Sequence, residues 1–101
     1  MEIKTGSISF PKHKGEGPRT DSEYIQFDGE VSAAVAILTG TEFGFSPYDD
    51  NHLGKVDIKI DSNFVGDTVQ VIATFGVRDW SNHWDDNYQG EVYFAVLAEL
   101  G

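Results

Sequence analysis

The segment Asp79 to Gly90, DWSNHWDDNYQG, sets two tryptophans and a histidine among three aspartates and two asparagines. Residues of these types can close a turn, hold a metal, hydrolyse a substrate or bind a ligand, and their spacing must decide. Calcium is the first case, because DDNHLG, DSNFVG and DDNYQG all start as an EF-hand loop does, with Asp, Asn and Gly at the first, third and sixth places. The fifth place holds Leu53, Val65 or Gln89. The twelfth, which should supply a bidentate glutamate, holds Ile60, Ile72 or Val96. Asp and Asn beside Gly also suit a hairpin turn, because they tolerate a positive φ and hydrogen-bond their own backbone. Turn chemistry is the preferred account, and a weak Ca²⁺ in an Asp/Asn loop stays open as the alternative; no other cofactor is expected.

Zinc has less support. His13, His52 and His83 fall in three separate turn-like stretches, with no i,i+4 pair and no cysteine partner anywhere in the chain. Hydrolysis would need two carboxylates at a fixed separation, such as Asp49 or Asp50 with Asp85 or Asp86, and no motif sets that distance. There is no G-x-S-x-G elbow either, so no enzymatic activity is expected. A sugar is different: it offers apolar C–H faces and a rim of hydroxyls, and it is met by a flat aromatic beside carboxylates and amides. Trp80 and Trp84 with Asp79, Asp85, Asp86, Asn82 and Asn87 bring that mixture into one stretch. Trp80 follows an apolar run and reads as a plug for the end of the core, whereas Trp84 reads as the ligand face.

The elements that position these residues are strands. Val56, Ile58 and Ile60 alternate with Asp57, Lys59 and Asp61. Val69, Val71, Ala73 and Phe75 repeat the period of two, as do Val92, Phe94, Val96 and Ala98. IKTGSISF and SEYIQFDG are shorter runs rich in β-branched and aromatic residues. VSAAVAILTGTEF has the alanines of a helix, but its β-branched residues and flanking Gly29 and Gly40 favour a strand. PKHKGEGPRTDS, SPYDDNHLGK and VGDT read as turns. Six short strands with no helical crossover predict an all-β fold, a six-stranded antiparallel β-sandwich forming a single domain over 1–101. Ser32, Ala34 and Ala36 give one strand face only small side chains, while Tyr93, Ala95 and Leu97 make a nominally outer face apolar. Deep burial within the sandwich and a subunit interface both account for this pattern.

Composition narrows the partners. With 101 residues, 17 acidic and 7 basic side chains, a net charge of -10 and no cysteine, the chain lacks the positive surplus that phosphate backbones or anionic membranes require. No segment approaches the ~18 apolar residues of a membrane-spanning helix. MEIKTGSISF has no basic start followed by an apolar run. Neither nucleic-acid binding nor membrane insertion is expected. A soluble chain, cytoplasmic or released by a non-classical route, is.

The order of these elements resembles a known family. An initial TGSISF strand, a long irregular loop, KVDIKI, a strand and loop ending in Trp84-Asp85-Asp86, and a final GEVYFAVLAEL strand are similar to the H-type lectin domain of snail agglutinins and discoidin C-terminal regions. The resemblance spans almost the whole chain and is sharpest in its last third. It implies a six-stranded sandwich that assembles as a homotrimer or homohexamer and binds glycans with terminal galactose or N-acetylgalactosamine in shallow clefts between subunits. Trp84 matches the family tryptophan and Asp85 the place beside it. Asp21, with Arg19 close by, matches the acid of the loop after the first strand, and Asp57 or Lys55 stands near the polar position on the central strand; Asn87, from the aromatic and acidic mixture itself, joins them as a candidate carbohydrate contact. Relatives often carry histidine where Asp85 stands and arginine near Asp57, so the implied site differs from theirs in charge.

Overall fold

The computed structural model describes residues 1–14, 17–45, 53–79 and 87–101, and side chains throughout these ranges except at 12–14, 79 and 87. The described chain consists of six antiparallel strands: β1 (Glu2–Lys14), β2 (Arg19–Gln26), β3 (Val31–Phe45), β4 (Leu53–Val65), β5 (Thr68–Asp79) and β6 (Asn87–Leu100). They form two sheets of three, ordered β1-β6-β3 and β2-β5-β4. The expected all-β architecture is present, and the ambiguous alanine-rich segment is strand β3. Only β4 and β5 are joined within one sheet. Val65 pairs with Thr68 across Gly66 and Asp67, and Gly66, at φ 61°, takes the left-handed conformation such a two-residue turn demands. DSNFVG is therefore the end of β4 running into a hairpin.

Alternation sets the core. Val69, Val71, Ala73, Phe75 and Val77 of β5 face Tyr88, Val92, Phe94, Val96 and Ala98 of β6, all fully or almost fully buried. The two central strands thus lie over each other, with β1 against β2 and β3 against β4 at the flanks. Each large apolar side chain removed from water contributes about 1.5–3 kcal/mol, so this double row is the main source of cohesion. Two glycines let the layers close. The Phe94 ring lies over Gly6, where a Cβ would stand 2.7 Å from its tip. The Phe75 ring reaches across the sandwich to Gly90, where a Cβ would be 2.5 Å from it and would also collide with the Glu42 carbonyl. Phe75 then seats against Phe10, with ring centroids 5.1 Å apart, and against Tyr88, at 5.7 Å.

The strands extend beyond their apolar runs. β1 continues through Pro11 to Lys14, across a register shift between Phe10 and His13 that pairs His13 with Tyr88. The shift accommodates proline, which cannot donate to the ladder. β2 begins at Arg19, so Arg19 to Asp21, expected as turn, are strand, held by pairing with Phe75, Thr74 and Ala73. At the other end Phe27 N–H and Val31 N–H donate to the carbonyls of Asp67 and Gly66, at 2.8 and 2.7 Å. There the Asp67 carboxylate accepts from Gln26 and Thr68 side chains, which hold it below its ordinary range. Replacing Gly90 with alanine should destabilise the fold by roughly 1–3 kcal/mol in urea unfolding, because the Glu42 carbonyl is backbone and cannot turn aside; an unchanged midpoint would contradict the close packing.

Candidate functional site

Strand direction brings the chemistry-bearing stretches together. Lys14 pairs with Asn87, Phe45 with Tyr88, and Leu53 with Asp79, so the strand ends that flank all three long connections lie at one end of the sandwich. Trp80, Trp84, Asp85 and Asp86, like Asp49, Asp50, His52 and His83, are outside the described residues. Asn87 is the first residue of β6, with its backbone in the β1 ladder. Among the described residues no three His, Asp or Glu side chains gather as a metal centre would require.

Arg19 is the best-defined polar residue of this end. It stands opposite Phe75 in the register, on the inner face of an edge strand. Its guanidinium donates to the Pro11 carbonyl at 2.8 Å, the Tyr88 carbonyl at 3.2 Å and the Tyr88 hydroxyl at 3.4 Å. It also lies over the Tyr88 ring, 4.7 Å from the centroid, and near Phe10 at 5.6 Å. Tyr88 in turn donates to the Gly17 carbonyl at 3.0 Å. A planar fork suits two carbonyls and an aromatic face at once, which a lysine could not manage. Arg19 is first a tie between the two sheets, a role that needs the fold to be seen.

Asp21 shares that inner register position opposite Ala73, yet it is exposed at the edge, and its carboxylate accepts from the Ser22 backbone at 2.8 Å. It lies on β2, not in a loop, because the strand starts two residues before it. Asp57, paired with Gly76, is on the outer face of the same sheet, with Lys59 Nζ 3.9 Å away. Asp57 and the Arg19–Asp21 pair therefore occupy opposite faces within one chain.

A second polar arrangement had no counterpart in the sequence reading. On the outer face of β1-β6-β3, Ser9, Glu91 and Glu42 stand side by side in one row. They border a shallow cleft of about 280 Å³ with Pro11, Phe43 and Gln89 among its walls. The Glu91 carboxylate accepts from Ser9 at 2.6 Å and from Tyr93 at 2.7 Å, and these two bonds hold it below the ordinary glutamate range. The same bond, with burial and the nearby charge of Glu42, pushes the Tyr93 phenol up. A carboxyl whose folded pKa is depressed adds stability above its unfolded pKa and loses it as pH falls. A phenol whose pKa is raised adds stability below its unfolded value and loses it as pH rises. Thermal unfolding followed from about pH 3 to about pH 11 should show Glu91→Gln with a shallower acid loss of stability than wild type; coincident acid slopes would contradict the assignment.

No helix among the described residues is long and apolar enough to cross a membrane. Comparisons with family models, curated proteins and solved structures return no match, so a functional reading of this all-β sandwich rests on its own residues.

Proposed function

We propose that the chain is an oligomeric carbohydrate-binding domain of the H-type lectin kind, without enzymatic activity, that takes galactose-type or N-acetylgalactosamine-type glycans in shallow sites between subunits. The observation that carries the reading is the convergence of strand ends. The segments rich in tryptophan, aspartate and asparagine all leave from the end where Arg19 and Tyr88 bind the two sheets together. In this reading Trp84 supplies the flat face for the sugar ring, and Asp85, Asp21 and Asn87 accept from or donate to hydroxyls. Arg19 keeps the base of the site rigid. Asp57, on the far side of the sheet, meets the sugar from the neighbouring subunit.

A homotrimer or homohexamer has a candidate contact surface. On the outer face of β1-β6-β3, Ile3, Leu97 and Val35 form one cross-strand row and Thr5, Ala95 and Ile37 the next. Ile3, Val35 and Ile37 are 61%, 50% and 46% exposed. Residues 31–41 carry no charge in a chain of net charge -10, which makes this the face that a second acidic copy can approach. The small residues Ala34 and Ala36, by contrast, turn inward and pack against the core. Several weak sites on one rigid body exceed single-site affinity by roughly 10² to 10⁴.

A second reading, an assembly module with this fold but no sugar binding, is favoured by the engagement of Arg19 inside the protein. A glycan array separates the two: wild type should label galactose-type glycans and Trp84→Ala should not, whereas silence from an assembled oligomer would leave only the assembly role. Ile37→Lys should reduce the light-scattering mass to that of a monomer and weaken the array signal by the same range of 10²-fold or more; an unchanged mass would move the interface elsewhere.

A further inference from the structure

Among the described residues no strand pairs with the free side of β4, which ends the β2-β5-β4 sheet. A strand in that position offers an unpaired row of backbone donors and acceptors to another chain. From Lys55 to Val65 its register runs without a shift, the longest such stretch on any of the edge strands. The other edges carry devices that discourage pairing. β1 and β2 place Glu2, Lys4, Asp21 and Glu23 in the inward-facing rows, and β3 is broken by shifts at Val31/Ala33 and Leu38/Gly40.

The outer row of β4 reads Lys55, Asp57, Lys59, Asp61, alternating in sign. A row of one sign would repel its own copy. In an antiparallel copy turned about Ile58, by contrast, Lys55 stands opposite Asp61 and Asp57 opposite Lys59, each meeting repeated by the twofold axis. Moving the axis to Asp57 or to Lys59 sets lysine against lysine and aspartate against aspartate. The row therefore admits one register and penalises its neighbours. Lys59 has the reach for it: its side chain is 73% exposed, and its contact with Asp57 of its own strand is loose, at 3.9 Å. The inward row agrees with this register, setting Val56 against Ile60 and Ile58 against its mate. Those three stand opposite the buried Val77, Ala73 and Phe75, yet are only half-buried themselves. Phe43 of β3 pairs with Gly90, on which the Phe75 ring rests, and Phe75 pairs with Ile58, so Phe43 stands at the level of the axis; it is 39% exposed.

We propose that β4 pairs with β4 of a second copy, antiparallel about Ile58, so that the two β2-β5-β4 sheets continue as one. The inference deepens the oligomeric half of the reading above and does not depend on which ligand is bound. It brings Asp57 to a boundary between copies, where its carboxylate keeps acceptor positions for a sugar hydroxyl beside Lys59 of the second copy. A strand from an unrelated protein would need the same alternation of charge and of apolar residues to fit; a second copy has it by symmetry. The contact is isologous and separate from the apolar outer face of β1-β6-β3, so the two can fail independently. Opposite charges at an exposed edge are screened by salt, so association through β4 weakens as ionic strength rises.

The test uses two charge variants: Lys55→Asp with Lys59→Asp, whose row is wholly acidic, and Asp57→Lys with Asp61→Lys, whose row is wholly basic. Urea unfolding verifies that both fold. Sedimentation velocity and native mass spectrometry of the wild type should show even-numbered assemblies. Each variant alone should associate through this edge at least about tenfold more weakly, and an equimolar mixture should recover the association with one-to-one pairing of the two. In the wild type itself, hydrogen exchange of amides between Lys55 and Asp61 should slow as assembly forms, which reads the contact without any substitution. Variants that associate as the wild type does, a mixture with no gain, or exchange that ignores assembly would overturn the edge pairing. A wild-type trimer, or copies separated by Ile37→Lys but not by the charge variants, would overturn the edge pairing alone and leave the oligomeric reading standing. A wild-type monomer would overturn both.

Discussion

The closure of the sandwich depends on one aromatic ring entering the space above a glycine. Phe75, at the centre of β2-β5-β4, reaches β6 where Gly90 has no side chain, and there it meets Phe10 and Tyr88. Tyr88 thereby becomes a fixed platform for the Arg19 guanidinium, which donates to backbone carbonyls of both β1 and β6. Apolar burial brings the sheets together along their length, and this aromatic and guanidinium cluster fixes how they end. The end so fixed is the one from which the long connections depart, so packing deep in the molecule sets where they leave the sheets.

The two outer faces then differ in character for a reason visible in the pairing. The outer side of β2-β5-β4 carries Asp57, Lys59, Asp61 and Asn63 and suits water. The outer side of β1-β6-β3 is divided along its length. Near the chain termini it is apolar, with Ile3, Val35 and Ile37 around Ala95 and Leu97. Toward the other end it becomes the glutamate-bordered cleft. An oligomer built on the apolar half would leave the glutamate-bordered cleft uncovered.

Much of this was legible in the sequence, and the parts that were not share a cause. Period-two alternation marks the core residues of β5 and β6 and the half-buried ones of β4, because one buried face per strand leaves that mark. In sequence β1 and β2 look shorter than they are: the run from Pro11 to Asp21 resembles a turn, yet His13 and Lys14 pair with Tyr88 and Asn87 of β6, and Arg19 to Asp21 pair with Phe75 to Ala73 of β5, partners remote in sequence. In sequence Arg19 stands beside Asp21 as a candidate sugar contact, whereas its inward role depends on Pro11 and Tyr88, which only the fold brings to it. Asp57 was grouped with them although the sheet separates their faces. The cleft was missed because Ser9, Glu42 and Glu91 are neighbours only through the β1-β6-β3 register. Gly90, a glycine inside an alternating strand, is a signal for the entry of Phe75, since such a residue marks a close approach of another group.

The proposed sugar site lies at the end of the sandwich where the tryptophan-bearing segment leaves β5 and returns at Asn87, with neighbouring subunits completing it. A crystal structure of the chain with a galactose-type sugar tests it most directly. The account predicts density for one sugar per subunit at that end, stacked on Trp84 and touched by two copies of the chain; a monomer with that end empty, or sugar seated wholly on one subunit away from Trp84, would contradict it.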